Sequence, residues 1–314
     1  MGAFIVRRLL QMLIVLFLLT IISFMLMQLI PGDPARTYLG YEATQEQIDN
    51  LRTKLWLDRP IIVQYGHWLD NLAHGNLGRS MMYHMPVVDL IAVRLPVTLQ
   101  ISVLAIILST FFGILSGIIC AVRRGTLLDS GITLFANIGI SIPIFWLGIL
   151  GIFTLGLKLG WLPIQGYTSP FDDFWLSTRQ LTMPVICLAV TSLAGIARQT
   201  RSSMLEVIRQ DYIRSAWAKG LGERVIVMRH TVRNGLIPVV TFLGIQIRNL
   251  IGGAVLVETV FNISGMGRLI VSSAFNKDFI VIQACVLLTG IMVSLVNLGV
   301  DISYAYIDPR IRYE

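Results

Sequence analysis

The chain has 314 residues, 55% of them hydrophobic and only 14% charged, with a net charge of +7. Soluble domains usually carry about 25% charged residues, so this composition excludes an ordinary soluble protein and places the chain in a membrane. The basic excess reads as positive charge gathered in the cytoplasmic loops of a membrane protein rather than as a nucleic-acid surface.

The first element is an apolar run, Leu9–Ile30, behind the basic flank MGAFIVRRLL. It is too long for the apolar core of a signal peptide and no small-x-small cleavage site follows, so it predicts a retained first span. Pro31-Gly32-Asp33-Pro34 stops that helix, because neither proline continues the hydrogen-bond ladder. A long outer loop, 31–94, comes next. Within it, Thr44–Leu55 carries helical apolar spacing (Ile48, Leu51, Leu55) behind a Thr44–Gln47 capping box. Five further runs are long enough to cross about 30 Å of hydrocarbon: Leu95–Val122, Gly131–Leu157, Leu181–Ala197, Gly235–Val257 and Ile280–Ile307. The fourth run, Leu181–Ala197, is the shortest. Cys120, Cys187 and Cys285 all sit inside these runs without CxxC spacing and read as buried free thiols. A GxxxG at Gly113–Gly117 permits close helix contact, but such patterns are frequent by chance.

Six spans put both termini on one side, and charge selects which. Fourteen of the 25 Lys and Arg residues lie at the termini, at Arg123 and Arg124, and between Arg198 and Arg233; ten lie in the longer opposite loops. The denser side is cytoplasmic. The expected architecture is therefore an all-α polytopic bundle of six transmembrane helices, residues 1–314 forming one transmembrane domain in a bacterial cytoplasmic (inner) membrane.

Enzyme chemistry has little footing. There is no GxxxxGK[ST], GxSxG, HExxH or CxxC. His67 and His74 stand seven residues apart, a spacing that places two metal ligands on one helix face, though solvated or capping roles are commoner. The unusual segment is Arg198–Arg233, with eight basic residues and three acids between the fourth and fifth spans. Ser203 and Glu206 have capping-box spacing, and Leu205, Ile208, Tyr212 and Ala216 form an apolar stripe. Lys219 and Gly220 suit a helix end. A second helical piece, Glu223–Val232, follows the Gly220–Gly222 bend. By composition alone these helices lie on the bilayer interface or dock a protein. In the fifth span, Arg248 stands with Gln246 and Asn249 nearby; a charge there costs at least about 2.5–3.5 kcal/mol at mid-bilayer. Two readings stay open for it: a translocation path meeting an anionic group, or snorkelling or pairing with Glu258. Asp301 reads as structural, bonded within the bundle.

The string R-S-S-M-L-E-V at Arg201–Val207, D-Y-I-R-x-A-x-A-K-G at Asp211–Gly220 and R-H-x-x-R-N-x-x-x-P-V-V-T at Arg229–Thr241 resembles the cytoplasmic EAA loop of ABC-importer permeases of the dipeptide, oligopeptide, nickel and glutathione class. The general form of that motif is poorly kept: Arg214 stands for its Glu, and His230–Arg233 replace its closing I-x-L-P. The resemblance runs on through Pro31–Pro34, G-x-L-G-x-S at Gly75–Ser80, R-x-P-x-T-L at Arg94–Leu99, S-x-P-x-F-W at Ser141–Trp146, G-W-L-P at Gly160–Pro163, V-E-x-V-F at Val257–Phe261 and the tail Asn297–Arg312. Ile263 and Ser264 replace the Trp and Pro of a W-P-G-x-G, leaving Gly265 and Gly267, and Trp217 stands where Arg is frequent.

This resemblance implies a type I ABC-importer permease fold and an ATP-driven importer for di- or oligopeptides, working by alternating access, with nickel or glutathione as alternative cargo. An ion-coupled secondary transporter is the alternative from another class; the elaborate cytoplasmic segment argues against it. The implied partners are a homologous second permease subunit (a heterodimer), two cytoplasmic ATPases that carry the ATP-Mg, an extracytoplasmic solute-binding protein and membrane lipid. No cofactor is expected on this chain. The segment 198–233 is the implied ATPase-docking element, with Tyr212, Ser215, Ala216, Trp217, Lys219 and Gly220 as contacts, Tyr212 and Trp217 being the aromatic anchors. Arg248, Gln246 and Asn249 are the candidate path residues.

Overall fold

The computed structural model describes residues 2–29, 34–39, 43–54 and 56–307. Residues 31–33 of the first turn, Leu55 and residues 308–314 of the tail lie outside the described residues. In chain order the helices are α1 (Gly2–Leu29), α2 (Pro34–Leu39), α3 (Gln45–Lys54), α4 (Ile61–Ala73), α5 (Val87–Val122), α6 (Leu127–Ser141) and α7 (Ile144–Gly151), which runs into a π-helical stretch, Ile152–Lys158. Then come α8 (Phe174–Ile208), α9 (Asp211–Ala218), α10 (Glu223–Val225), a second π-helical stretch (Ile226–Thr231), α11 (Val232–Gly235), α12 (Ile237–Val260), α13 (Met266–Phe275) and α14 (Phe279–Ile307). The chain forms two compact units: residues 97–268 with 1–9 and 295–314, and residues 10–96 with 269–294.

In the first unit, α8 is the central helix. Gly113 and Gly117 of α5 lie against Ile196 and Thr200 of α8, so the two contacts step forward together and the helices run parallel. A Cβ on Gly117 would stand 2.4 Å from Cβ of Thr200 and 2.7 Å from the Ala197 carbonyl oxygen. The GxxxG that is weak as a sequence pattern is thus a true close crossing. Helix α6 is antiparallel to α8: Asp129 pairs with Arg201 at one end, and Gly139 lies against Val190 further along. Helix α12 is antiparallel too, with Phe242 against Gly195 and Gly253 against Leu188.

The third predicted run departs from a single helix. Its two halves meet at a bend of 102° around Ile142 and Pro143. Pro143 has no N–H to donate and pushes Ile142 to an extended backbone (φ −78°, ψ 125°), which ends α6. Because α5 and α8 run parallel, the chain between them must cross back, so α6 and α7 together form one broken span. Among the described residues, five helices are long and apolar enough to cross a membrane, and this broken pair brings the crossings to six.

The fourth run also differs. Expected as the shortest, Leu181–Ala197 is the middle of a 35-residue helix. Its polar ends escape a hydropathy reading: exposed Asp173 caps the start locally by accepting from the Leu176 amide (2.9 Å), and at the far end Arg201 is held within the fold by Asp129. Glu258 is fully buried; it accepts from the Thr98 hydroxyl (2.5 Å) and the Arg268 amide (3.0 Å), while Gly265 and Gly267 leave room for its carboxylate. Ile263, which stands where the family pattern has Trp, is fully buried in the core of this unit. Asp301 pairs with Arg8 at 3.3 Å, the structural role expected of it.

In the second unit α1 and α14 run antiparallel, with Leu19 against Gly290 and the Ser23 hydroxyl donating to the Gln283 carbonyl at 3.0 Å. The Thr44–Gln47 capping box forms reciprocally: the Gln47 amide donates to Thr44 Oγ1 (3.4 Å) and the Thr44 amide to Gln47 Oε1 (3.0 Å). Buried Asp278 accepts from the Ser80 hydroxyl (2.6 Å) and the Met82 amide (3.0 Å), pinning that turn to the start of α14.

Candidate functional site

The predicted capping box at Ser203 does not form. Ser203 is a buried residue inside α8, accepting a hydrogen bond from Gln199 at 3.2 Å. The helix break comes later, at Arg209 and Gln210, where Gln210 turns extended (ψ 147°) and begins α9 without a side-chain cap. That break resets the helical phase. The stripe Leu205, Ile208, Tyr212, Ala216 therefore does not continue across it. The residues that bury α9 are Ile213 and Ala216, against Ile226 and Val207. Ala216 is thus a packing residue and not a free contact. Ile213 and Ile226, missed by the sequence reading, are fully buried, each contributing about 1.5–3 kcal/mol to holding α9 in place.

The rest of α9 is open. Tyr212 and Trp217, about half exposed, flank the buried strip on either side, and Ser215, Lys219 and Gly220 are exposed. The Tyr212 hydroxyl accepts from the Asn234 amide group (3.1 Å), so it ties α9 to α11 while presenting its ring. The exposed Ser215 hydroxyl donates to the Asp211 carbonyl one turn back (3.0 Å). Gly220 adopts φ +75° and completes a Schellman motif: its N–H donates to the Trp217 carbonyl (2.9 Å) and that of Leu221 to Ala216 (3.3 Å). Leu221, Val225 and Met228 are exposed on the segment that follows. None of them belonged to the predicted stripe; their signal was apolar side chains at the bend and on the far side of Glu223–Val232. The π-helical stretch Ile226–Thr231 then feeds into α11 and α12, where Thr231 is buried and donates to the Ile226 carbonyl (3.2 Å).

The three path candidates separate. Gln246 is buried; it donates to the Ser192 carbonyl of α8 (3.1 Å) and accepts from Asn249 (3.3 Å). Both line a cavity of about 250 Å³ with Thr191, Arg198 and Phe242. Arg248 is not among its lining residues. It is exposed on a face of α12 shared with Ile245, Asn249, Gly252, Leu256 and Thr259. Among the described residues no carboxylate lies within ion-pair distance of it. Pairing with Glu258 is excluded, since that carboxylate is sealed in the core roughly 15 Å further along the helix. The histidine pair is not assembled for metal either. His67 stacks on Trp56 (4.2 Å between centroids), and a His74 ring nitrogen contacts the Asp70 carbonyl (2.8 Å).

Comparison with known proteins bears on this arrangement. Residues 113–313 match the family described as "Binding-protein-dependent transport system inner membrane component", and residues 1–102 match its N-terminal companion. The chain is 41% identical to a probable peptide ABC transporter permease protein of Sinorhizobium fredii, with all of both chains covered. It is 40% identical to a dipeptide transport system permease protein of Alkalihalophilus pseudofirmus and 40% to an oligopeptide transport system permease protein of Bacillus subtilis, again over the full length of both chains. Among solved structures it resembles an inward-facing methionine ABC transporter (TM-score 0.57, 19% identity, 70% of this chain and 97% of the other). An amino acid ABC transporter gives a TM-score of 0.54 at 14% identity, covering 70% of this chain and 94% of the other. These two likenesses establish the fold.

Proposed function

The chain belongs to the binding-protein-dependent transport system inner membrane components, and within that family we propose that it is the pore-forming subunit of an ATP-driven importer of di- or oligopeptides. Membership makes it a multi-pass transport subunit of an ABC importer and not an enzyme. The peptide assignment is supported by full-length relatives at 40–41% identity that bear peptide, dipeptide and oligopeptide names.

In this reading Arg198–Arg233 and both termini face the cytoplasm, following the charge distribution. A cytoplasmic ATPase grips the exposed surface of α9 through Tyr212, Trp217 and Lys219, while ATP-Mg stays on the ATPases. A second, homologous permease completes the pore as a heterodimer, and an extracytoplasmic binding protein delivers the peptide. The observation that carries the docking reading is that two half-exposed aromatic residues flank the firmly packed strip of α9: a force on Trp217 reaches α11 and α12 through Ile213, Ala216 and the Tyr212–Asn234 bond. The exposed α12 face with Arg248 and Asn249 then belongs to the path or to the second permease.

The test is uptake of a labelled dipeptide in cells whose own copy of this gene has been replaced by Trp217→Glu. Uptake should fall at least tenfold while the variant still inserts and co-purifies with the second permease. Normal uptake by Trp217→Glu would remove the docking assignment. Absence of dipeptide uptake by the wild-type importer would remove the peptide assignment.

A further inference from the structure

The second unit holds a cavity of about 350 Å³ that the transport reading leaves unused. It lies at the Leu29 end of α1, the Phe279 end of α14 and the segment between α3 and α4. Its size is in the range of a small-ligand site. One wall is aromatic: Phe24 packs on Trp68 (5.9 Å between centroids), and Trp56 stacks flat on His67. Trp56 is held at φ +60°, a conformation a bulky aromatic residue seldom adopts. Met81 and Ile280 complete an apolar lining.

The polar lining is of one kind. Gln28, Gln64, Asn71, Asn76 and Gln283 supply carboxamides, and Lys54 is the one formally charged residue among the described lining. Several of these amides bond one another: Gln28 donates to Gln64 (3.0 Å) and Asn76 to Asn71 (3.3 Å). Gln283 differs. It is 93% buried, and its Nε2 has no hydrogen-bond partner. A buried amide donor left unpaired costs about 1–3 kcal/mol, so such groups are normally matched. Among the described residues no carboxylate lies within ion-pair distance of Lys54. The unspent groups are therefore one buried N–H donor and one cation beside an aromatic wall.

We propose that this cavity is a subsite for the C-terminal hydrophobic residue of a peptide: Lys54 meets the free carboxylate, the Gln283 amide donates to the terminal carbonyl or carboxylate oxygen, and the side chain lies against Phe24, Trp56 and Trp68. The proposal rests on the peptide-importer reading. A fatty acid shares the pairing of an acceptor-rich anion with an apolar group. The carboxamide-rich lining favours the peptide, because a polar wall suits a peptide backbone, which can exchange hydrogen bonds with it, better than an acyl chain, which offers none.

The experiment uses the full importer in lipid nanodiscs without binding protein, probed with a dipeptide of alanine and photoreactive benzoylphenylalanine. Cross-links should map to fragments carrying Phe24, Trp56 or Trp68, and Ala-Phe should compete about tenfold or more better than Ala-Phe amide. Lys54→Gln should abolish that acid-over-amide preference, and Gln283→Leu should weaken both competitors by roughly 3–10-fold. Cross-links elsewhere, an intact preference in Lys54→Gln, or competition by dodecanoate as strong as by Ala-Phe would overturn the subsite. ATP-dependent uptake of Ala-Phe by the wild-type importer is scored separately. Uptake without cross-linking at the cavity overturns the subsite alone, whereas absence of uptake overturns the peptide reading with it.

Discussion

Gly220 offers the sharpest test of how α9 is built. It sits at φ +75°, and a Cβ placed there would meet nothing within 4 Å. The cost of a side chain is therefore conformational and not steric crowding by neighbours. For an ordinary L-residue the left-handed region costs about 1–2 kcal/mol, and for Asn less, because its side chain tolerates that region. At about 1.4 kcal/mol per factor of ten, Gly220→Ala should lower the population of the observed bend by roughly 5–30-fold relative to alternatives. Gly220→Pro is more severe. It demands φ near −65° and removes the N–H that donates to Trp217, which together cost about 3 kcal/mol or more. Since α9 is fastened by Ile213 and Ala216 against Val207 and Ile226, these changes should leave the membrane bundle intact. The assay is peptide uptake per ATP hydrolysed in proteoliposomes carrying all partner subunits. The coupling ratio should fall in the order Gly, Asn, Ala, Pro, with unfolding temperature nearly constant. Equal coupling in the Gly, Ala and Pro forms, or Asn worse than Ala, would refute the reasoning.

Two further outcomes follow from packing. Gly117→Val should lower stability by about 1–3 kcal/mol, because a backbone carbonyl at 2.7 Å cannot swing aside as a flexible side chain would; Gly131→Ala, with open space around it, is the control, and thermal unfolding in detergent reads both. Asp129→Ala should cost about 1–3 kcal/mol, less than a fully buried pair, because the Arg201 side chain remains 32% exposed while it holds Asp129 through two hydrogen bonds of 2.7 and 2.9 Å. A double-mutant cycle with Arg201→Met checks this, and a coupling near zero would show that the two ends are held by other contacts.

Much of the fold was legible because its main signal is one-dimensional. Apolar runs of sufficient length mark crossings wherever the rest of the bundle sits, since hydrocarbon tolerates no unpaired backbone. The Thr44 cap and the Gly220 helix end were legible for the same reason: each is a local hydrogen-bond requirement met within a few residues. The boundaries of α8 were not. Thr200 and Arg201 look like loop residues until α5 and α6 pack beside them. Phase was lost in the same place, where the break at Gln210 moved burial from Tyr212 to Ile213.

By itself the amino-acid order determined the membrane class, the six crossings, the charged segment between the fourth and fifth, and, by resemblance, the family. Each of these depends on composition or on contiguous motifs. Only the tertiary structure decided that the third crossing is broken at Pro143, that Gly117 is a contact surface, and that Arg248 stands apart from Gln246 and from Glu258. It also gathered Lys54, Trp56 and Gln283 around one cavity, although more than two hundred positions separate the last from the first two. Such outcomes turn on which side chains meet across helices, and no periodicity along a single helix records its neighbours.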